Sequence, residues 1–121
     1  MTDSIIKAIE KVMEESNIPF GIYISEHGEK FEMGDSGALK NPDFPRTLFY
    51  DETSTKEMYE YLESNIQPRM ISQGEVKTII GTYGGSIFAF FLNSSDHVLE
   101  HHKLAKRVHK KTLSQIENEI Y

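Results

Sequence analysis

Residues 73–93, QGEVKTIIGTYGGSIFAFFLN, restrict the fold more than any other part of the chain. Two runs rich in Val, Ile, Phe and Thr flank Gly84-Gly85. Such a pair reads as a two-residue hairpin turn, because both central positions need positive φ and glycine takes it without steric cost. On the second arm, Ile87, Ala89 and Phe91 point to one face of a strand, and Phe88, Phe90 and Leu92 to the other. Both sets are apolar. A strand of this kind belongs in the middle of a sheet covered on both sides, by helices or by a helix and a partner subunit.

The rest of the chain supplies the covers. Ile5, Ile6, Ile9, Val12 and Met13 form a stripe at helical spacing, which predicts an amphipathic helix over 4–16 capped by Asp3 or Ser4 and ended by Asn17 and Pro19. GIYIS-EHGE-KFEM reads as a hairpin around Gly28, with Ile22 and Ile24 alternating against Tyr23. Residues 34–53 contain Pro42 and Pro45 and no sustained period. They read as a long loop, of the kind that is functional or mobile, with Phe44, Leu48, Phe49 and Tyr50 pinning part of it down. Ser54 and Glu57 fit a capping box that starts a second helix, with Met58, Tyr61 and Leu62 on its apolar face and an end near Asn65. After Pro68 comes a short strand, Arg69 to Ser72, and then the opening hairpin. Asn93-Ser-Ser-Asp96 is rich in capping residues and begins a final helix reaching about Ile120. The order is α-β-β-α-β-β-β-α, in one domain over residues 1–121.

Composition removes several classes of function. With 121 residues and 38% hydrophobic content, the chain can bury a core without disulfides or metal. The absence of cysteine excludes thiol catalysis and Cys-based metal sites. A net charge of −6 opposes binding to nucleic acid. The N-terminus carries acids where a signal peptide needs a basic start, and no apolar run approaches a membrane span, so a soluble, cytoplasmic protein is expected.

The run PRMISQGEVKTIIGTYGGSIFAFFLNSSDHVLEHHKLAKRV, together with the opening hairpin FGIYISEHGEKFEMGDSG, resembles the roadblock/LC7 family. Shared features are a third strand, an acidic turn with Gly, two long strands, an Asn/Asp-Ser cap and a closing helix. The match covers about two-thirds of the chain and is one of residue class rather than of invariant side chains. The resemblance implies an α+β, profilin-like sandwich: a five-stranded, mostly antiparallel sheet with helices on both faces and the third strand at an edge. It implies no catalytic centre and no cofactor. Members serve as dimeric scaffolds for Ras-like GTPases, as adaptors for motor or membrane complexes, and in bacteria as regulators of a polarity GTPase. The chain departs from the family in its Pro-containing loop and its short, Tyr-rich second helix. Members usually carry there a longer helix rich in Ala, Leu and Gly, the family's usual dimer contact.

No catalytic constellation emerges from the residues themselves. Gly81-Thr-Tyr-Gly-Gly lacks the Gly-Lys-Ser/Thr of a phosphate loop, and there is no nucleophile elbow. His97 and His101 have the i, i+4 spacing that can share a metal ion. However, His101, His102 and His109 project onto or beside the stripe of Val98, Ala105, Val108, Leu113 and Ile116, which favours packing over ligation. Lys103, Lys106, Arg107 and Lys110 lie on the opposite face, either as a solvated surface or as a contact for an acidic partner or lipid headgroups. No aromatic interleaves with them, which argues against nucleic acid.

Two functions are compatible with this reading. The first is a non-enzymatic homodimer that binds a small Ras-like GTPase or docks a larger assembly. Its self-contact would be formed by Met58, Tyr61, Leu62, Met70 and Ile71, and membrane contact is expected only through partners. The second is a small-ligand sensor whose pocket is closed by the 34–53 loop.

Overall fold

The computed structural model describes residues 2–93 and 98–120. Helix α1 (Thr2–Ser16) is followed by strands β1 (Phe20–Ile24) and β2 (Lys30–Gly34). A 3-10 turn (Ser36–Ala38) and two helices come next, α2 (Phe44–Leu48) and α3 (Glu52–Glu63). Strands β3 (Arg69–Gln73), β4 (Val76–Tyr83) and β5 (Ser86–Asn93) then lead to the long helix α4 (Val98–Ile120). The five strands form one antiparallel sheet in the order β2-β1-β5-β4-β3. This is the α+β architecture expected from the sequence, with β3 at an edge.

β5 lies at the centre, and six of its eight residues, Ser86–Phe91, are buried. Phe88 and Phe90 join Tyr23 and Ile79 under α1 and α4, which contribute Ile9, Val12, Val108 and Ile116. Ile87, Ala89 and Phe91 join Ile22, Ile24, Val76 and Ile80 on the other face, beneath Leu39, Phe44, Phe49 and Leu62. The two sets divide as strand alternation requires. Gly84 and Gly85 both have positive φ, 55° and 87°, so the turn between β4 and β5 takes the mirror-image geometry that suits the twist of a hairpin.

The 34–53 segment is not an open loop. α2 begins with Pro45 just inside its first turn, where the missing N–H costs nothing. Leu39, Phe44 and Phe49 are buried on the sheet, whereas Tyr50 is 81% exposed and pins nothing. Asn93 ties the segment to the end of β5. Its Oδ1 accepts from the Lys40 N–H at 2.7 Å, and its Nδ2 donates to the Ala38 carbonyl at 3.0 Å. A second correction concerns the start of α3. The Asp51 carboxylate, rather than Ser54, caps it by accepting the Ser54 N–H at 2.7 Å. That bond holds the Asp51 carboxyl below its usual range. An ionised cap also meets the positive end of the helix dipole, which a serine one turn later does not. Likewise α1 starts at Thr2, ahead of Asp3 and Ser4, so neither residue is its cap. Of the run Asn93–Asp96 read as the capping start of α4, residues 94–96 lie outside the described residues.

Candidate interaction surface

The end of α3 is fixed to the sheet by a small polar network. Gln67 Nε2 donates to the Leu62 carbonyl at 3.1 Å and to Thr82 Oγ1 at 2.8 Å, while its Oε1 accepts the Thr82 N–H at 2.7 Å. Thr82 Oγ1 donates in turn to Glu63 at 2.8 Å, and the Tyr59 hydroxyl donates to the other oxygen of that carboxylate at 3.1 Å. The hydrogen bond to Glu63 raises the Tyr59 phenol above its ordinary value. With α3 held at its C-terminal end, Tyr61 and Ile66 are presented to solvent, 42% and 85% exposed. Arg69, the first residue of β3, lies over the Tyr61 ring at 5.6 Å and donates from Nε to its hydroxyl at 3.1 Å.

Among the described residues β3 has β4 as its one neighbour, so alternate backbone N–H and C=O groups along its outer side have no strand to pair with. Met70 packs in part toward the α1/α4 side of the sheet and Ile71 toward the α3 side, and both remain half-exposed. Of the five residues expected in a self-contact, Met58, Tyr61, Met70 and Ile71 are at least partly accessible on or beside this edge. Leu62 is the exception. It is fully buried under α3 and belongs to the subunit's own core. Ile66 was missed because it follows the helix, where no period marks it; its isolation in the polar run Glu63-Ser-Asn-Ile-Gln67 was the available signal.

The basic residues lie elsewhere. Lys103, Lys106, Arg107 and Lys110 are all exposed on α4, on the opposite side of the sheet from α3. The histidines divide. His109 is half-buried and stacks on Phe88 with ring centroids 5.8 Å apart, and burial lowers its pKa. His102 is exposed and does not pack as expected. His97 and the side chain of His101 lie outside what is described. Among the described residues, no group of three His, Asp or Glu side chains is placed to hold a metal ion.

A groove of about 660 Å³ opens where the β1–β2 and β4–β5 turns meet the start of α3. Ile24, Phe49 and Ile87 lie at its base, with Tyr50, Lys56 and Tyr59 among its walls. It sits at the end of the 34–53 segment, whose ordered course leaves it open. Among the described residues, no helix is long and apolar enough to cross a membrane.

No protein-family model matches the sequence, and no curated protein does. Solved structures do match. Myxococcus xanthus MglB superposes with a TM-score of 0.61 at 9% identity, over 93% of this chain and 90% of that one. An MglB with a tetrameric arrangement gives 0.56 at 14% identity, over 97% and 90%. The gliding protein MglB of Thermus thermophilus gives 0.56 at 13% identity, over 96% and 90%. This chain has the fold of MglB. The roadblock-type resemblance read from the opening hairpin and residues 68–116 therefore extends, as fold, over at least nine-tenths of the chain. At these identities the likeness to MglB is one of backbone path, and no residue's role is carried across.

Proposed function

We propose that this chain is a non-catalytic, homodimeric regulator that binds a Ras-like small GTPase. The observation that carries this reading is the MglB-like fold over at least nine-tenths of the chain. The family that the sequence resembles uses this fold to serve such GTPases, and the inference is one of analogy from fold to function.

The local physics supports the dimeric half of the proposal. β3 is an open edge with half-exposed Met70 and Ile71 at its middle, and pairing with a second copy satisfies its outer backbone groups. Two-fold symmetry then brings Tyr61, Ile66 and Met58 of one subunit toward the same residues of the other. A standard interface buries roughly 800 Å² per partner. Light scattering at micromolar concentration should give twice the chain mass. Tyr61→Asp should halve it while leaving the far-UV spectrum unchanged, because Tyr61 lies outside the subunit core. A wild-type monomer would remove the dimer reading.

The GTPase half is tested by titrating Ras-like GTPases from the same genome, loaded with a fluorescent GTP or GDP analogue. Nucleotide-dependent binding is expected. If none binds in either state and a small molecule instead fills the groove at Tyr50 and Tyr59, the chain is a ligand sensor; the groove's volume, within the usual range for such sites, is the observation behind that second reading.

A further inference from the structure

We propose that the outer face of α4 is a docking surface for anionic lipid headgroups, and that the dimer applies two copies of it to one membrane plane. The second clause rests on the dimer proposed above; the first does not.

Charge is unevenly distributed along this acidic chain. Residues 102–116 hold five of its 13 lysines and arginines and none of its 19 acids. Lys103, Lys106, Arg107 and Lys110 follow i, i+3, i+4, i+7 spacing and so share one face. Ala105, Val108, Thr112 and Ile116 occupy the opposite face and are buried against the sheet and α1. Packing therefore fixes the orientation of the helix, and its basic stripe points outward. Acids on the same helix bound the stripe without interrupting it: Glu100 precedes Lys103 by three residues, and exposed Glu117 follows Lys110 by seven. Glu15 of α1 is matched by Lys111 at 3.9 Å, and Glu10 and Glu14 are balanced on the same helix by Lys7 and Lys11.

The composition of the stripe favours lipid over protein. Protein interface cores are enriched in aromatic residues and Met and depleted in Lys. This face is mostly Lys, and none of the exposed large apolar residues among those described, Tyr50, Tyr61 and Ile66, lies on α4. Flexible ammonium groups on a straight helix suit a diffuse plane of negative charge, where no pocket or fixed partner geometry is required.

Symmetry strengthens the case. When two antiparallel edge strands pair about a two-fold axis, the axis runs perpendicular to the sheet, so like faces stay on the same side. Pairing through β3 places both α4 helices on one side of a continuous sheet and both α3 helices on the other. Two weak contacts to one surface then act together, each raising the effective concentration of the other. The proposal departs from the expectation that membrane contact occurs only through partners.

Sedimentation with vesicles of phosphatidylcholine, with and without phosphatidylglycerol, provides the test. Binding should require phosphatidylglycerol and should be lost at high salt, since the attraction decays within a Debye length of about 10 Å at 0.1 M. Each basic residue near such a surface contributes on the order of fivefold in partitioning. The quadruple variant Lys103→Glu, Lys106→Glu, Arg107→Glu, Lys110→Glu should therefore bind at least about 100-fold more weakly. All four positions are exposed, so circular dichroism and dimer mass should not change. Tyr61→Asp should weaken vesicle binding without abolishing it. No binding by a dimeric wild type, or equal binding by the quadruple variant, overturns the lipid assignment. In the first case an acidic protein becomes the candidate for the stripe. A wild-type monomer that still needs the stripe to bind vesicles would sink the dimer reading and leave the lipid surface standing.

Discussion

Gly81 shows how a single residue accommodates α4 on the sheet. A Cβ at this position of β4 would lie 3.0 Å from Cδ2 of His109 and 3.0 Å from Cζ of Phe88. The missing side chain makes room for the histidine to stack on the phenylalanine. Because burial lowers the His109 pKa, the native state resists protonation that the unfolded chain accepts near its ordinary value of 6.5. Stability should hold above that value and fall as pH drops from it through the lower folded pKa. Urea midpoints at about pH 7.5 and about pH 5.5 should differ less in His109→Gln than in the wild type; equal differences would mean that His109 is not the group responsible. The sequence placed His109 and His102 together beside the apolar stripe, yet the structure buries only the first. Helical projection gives the azimuth of a side chain, but which azimuths are covered depends on β4, and the space at Gly81 is a feature of pairing between distant segments.

At the scale of elements, the β4–β5 hairpin was the most legible part of the chain. Its turn, its two faces and its central place all follow from strand alternation and the glycine pair. Phe88 and Phe90 are fully buried on the α1/α4 side, and replacing either with Ala should cost about 3–5 kcal/mol in chemical denaturation. A loss below about 1 kcal/mol at both would contradict the central position of β5. The 34–53 segment was the least legible. It contains a helix of only five residues and buries Leu39, Phe44 and Phe49 singly. No period develops over so short a span, and the anchor at Asn93 lies 53 residues from Lys40. The start of α3 was misread for a different reason. Asp51 and Ser54 each offer a cap in overlapping windows, and local pattern alone does not rank a carboxylate against a hydroxyl.

For the molecule as a whole, the proposed dimer would separate subunit stability from assembly on neighbouring residues of α3. Leu62 is sealed in the core, whereas Tyr61 faces outward beside the β3 edge. Leu62→Asp should unfold the subunit, seen as loss of far-UV signal, whereas Tyr61→Asp should change only the molecular mass. If Leu62→Asp instead gave a folded monomer, the α3 side of the sheet would be dispensable for folding. The sequence grouped these two residues in one patch because both fall on the apolar side of a short helix, and only the packed sheet separates them. The two ends of the sheet differ in kind as well. β2 ends it with exposed Lys30 and Glu32, and the Lys30 ammonium donates to the Phe49 carbonyl at 3.0 Å; β3 ends it with Arg69 held against Tyr61, then half-exposed Met70 and Ile71. If β3 is the dimer edge proposed above, such a chain has a sticking valence of one. If the β3 borders of two copies meet as proposed, the borders left outside are the β2 strands with their exposed Lys30 and Glu32, which disfavour a third copy. In the proposed dimer, growth by sheet extension would then stop at the pair, and the paired edge would not propagate into a fibre.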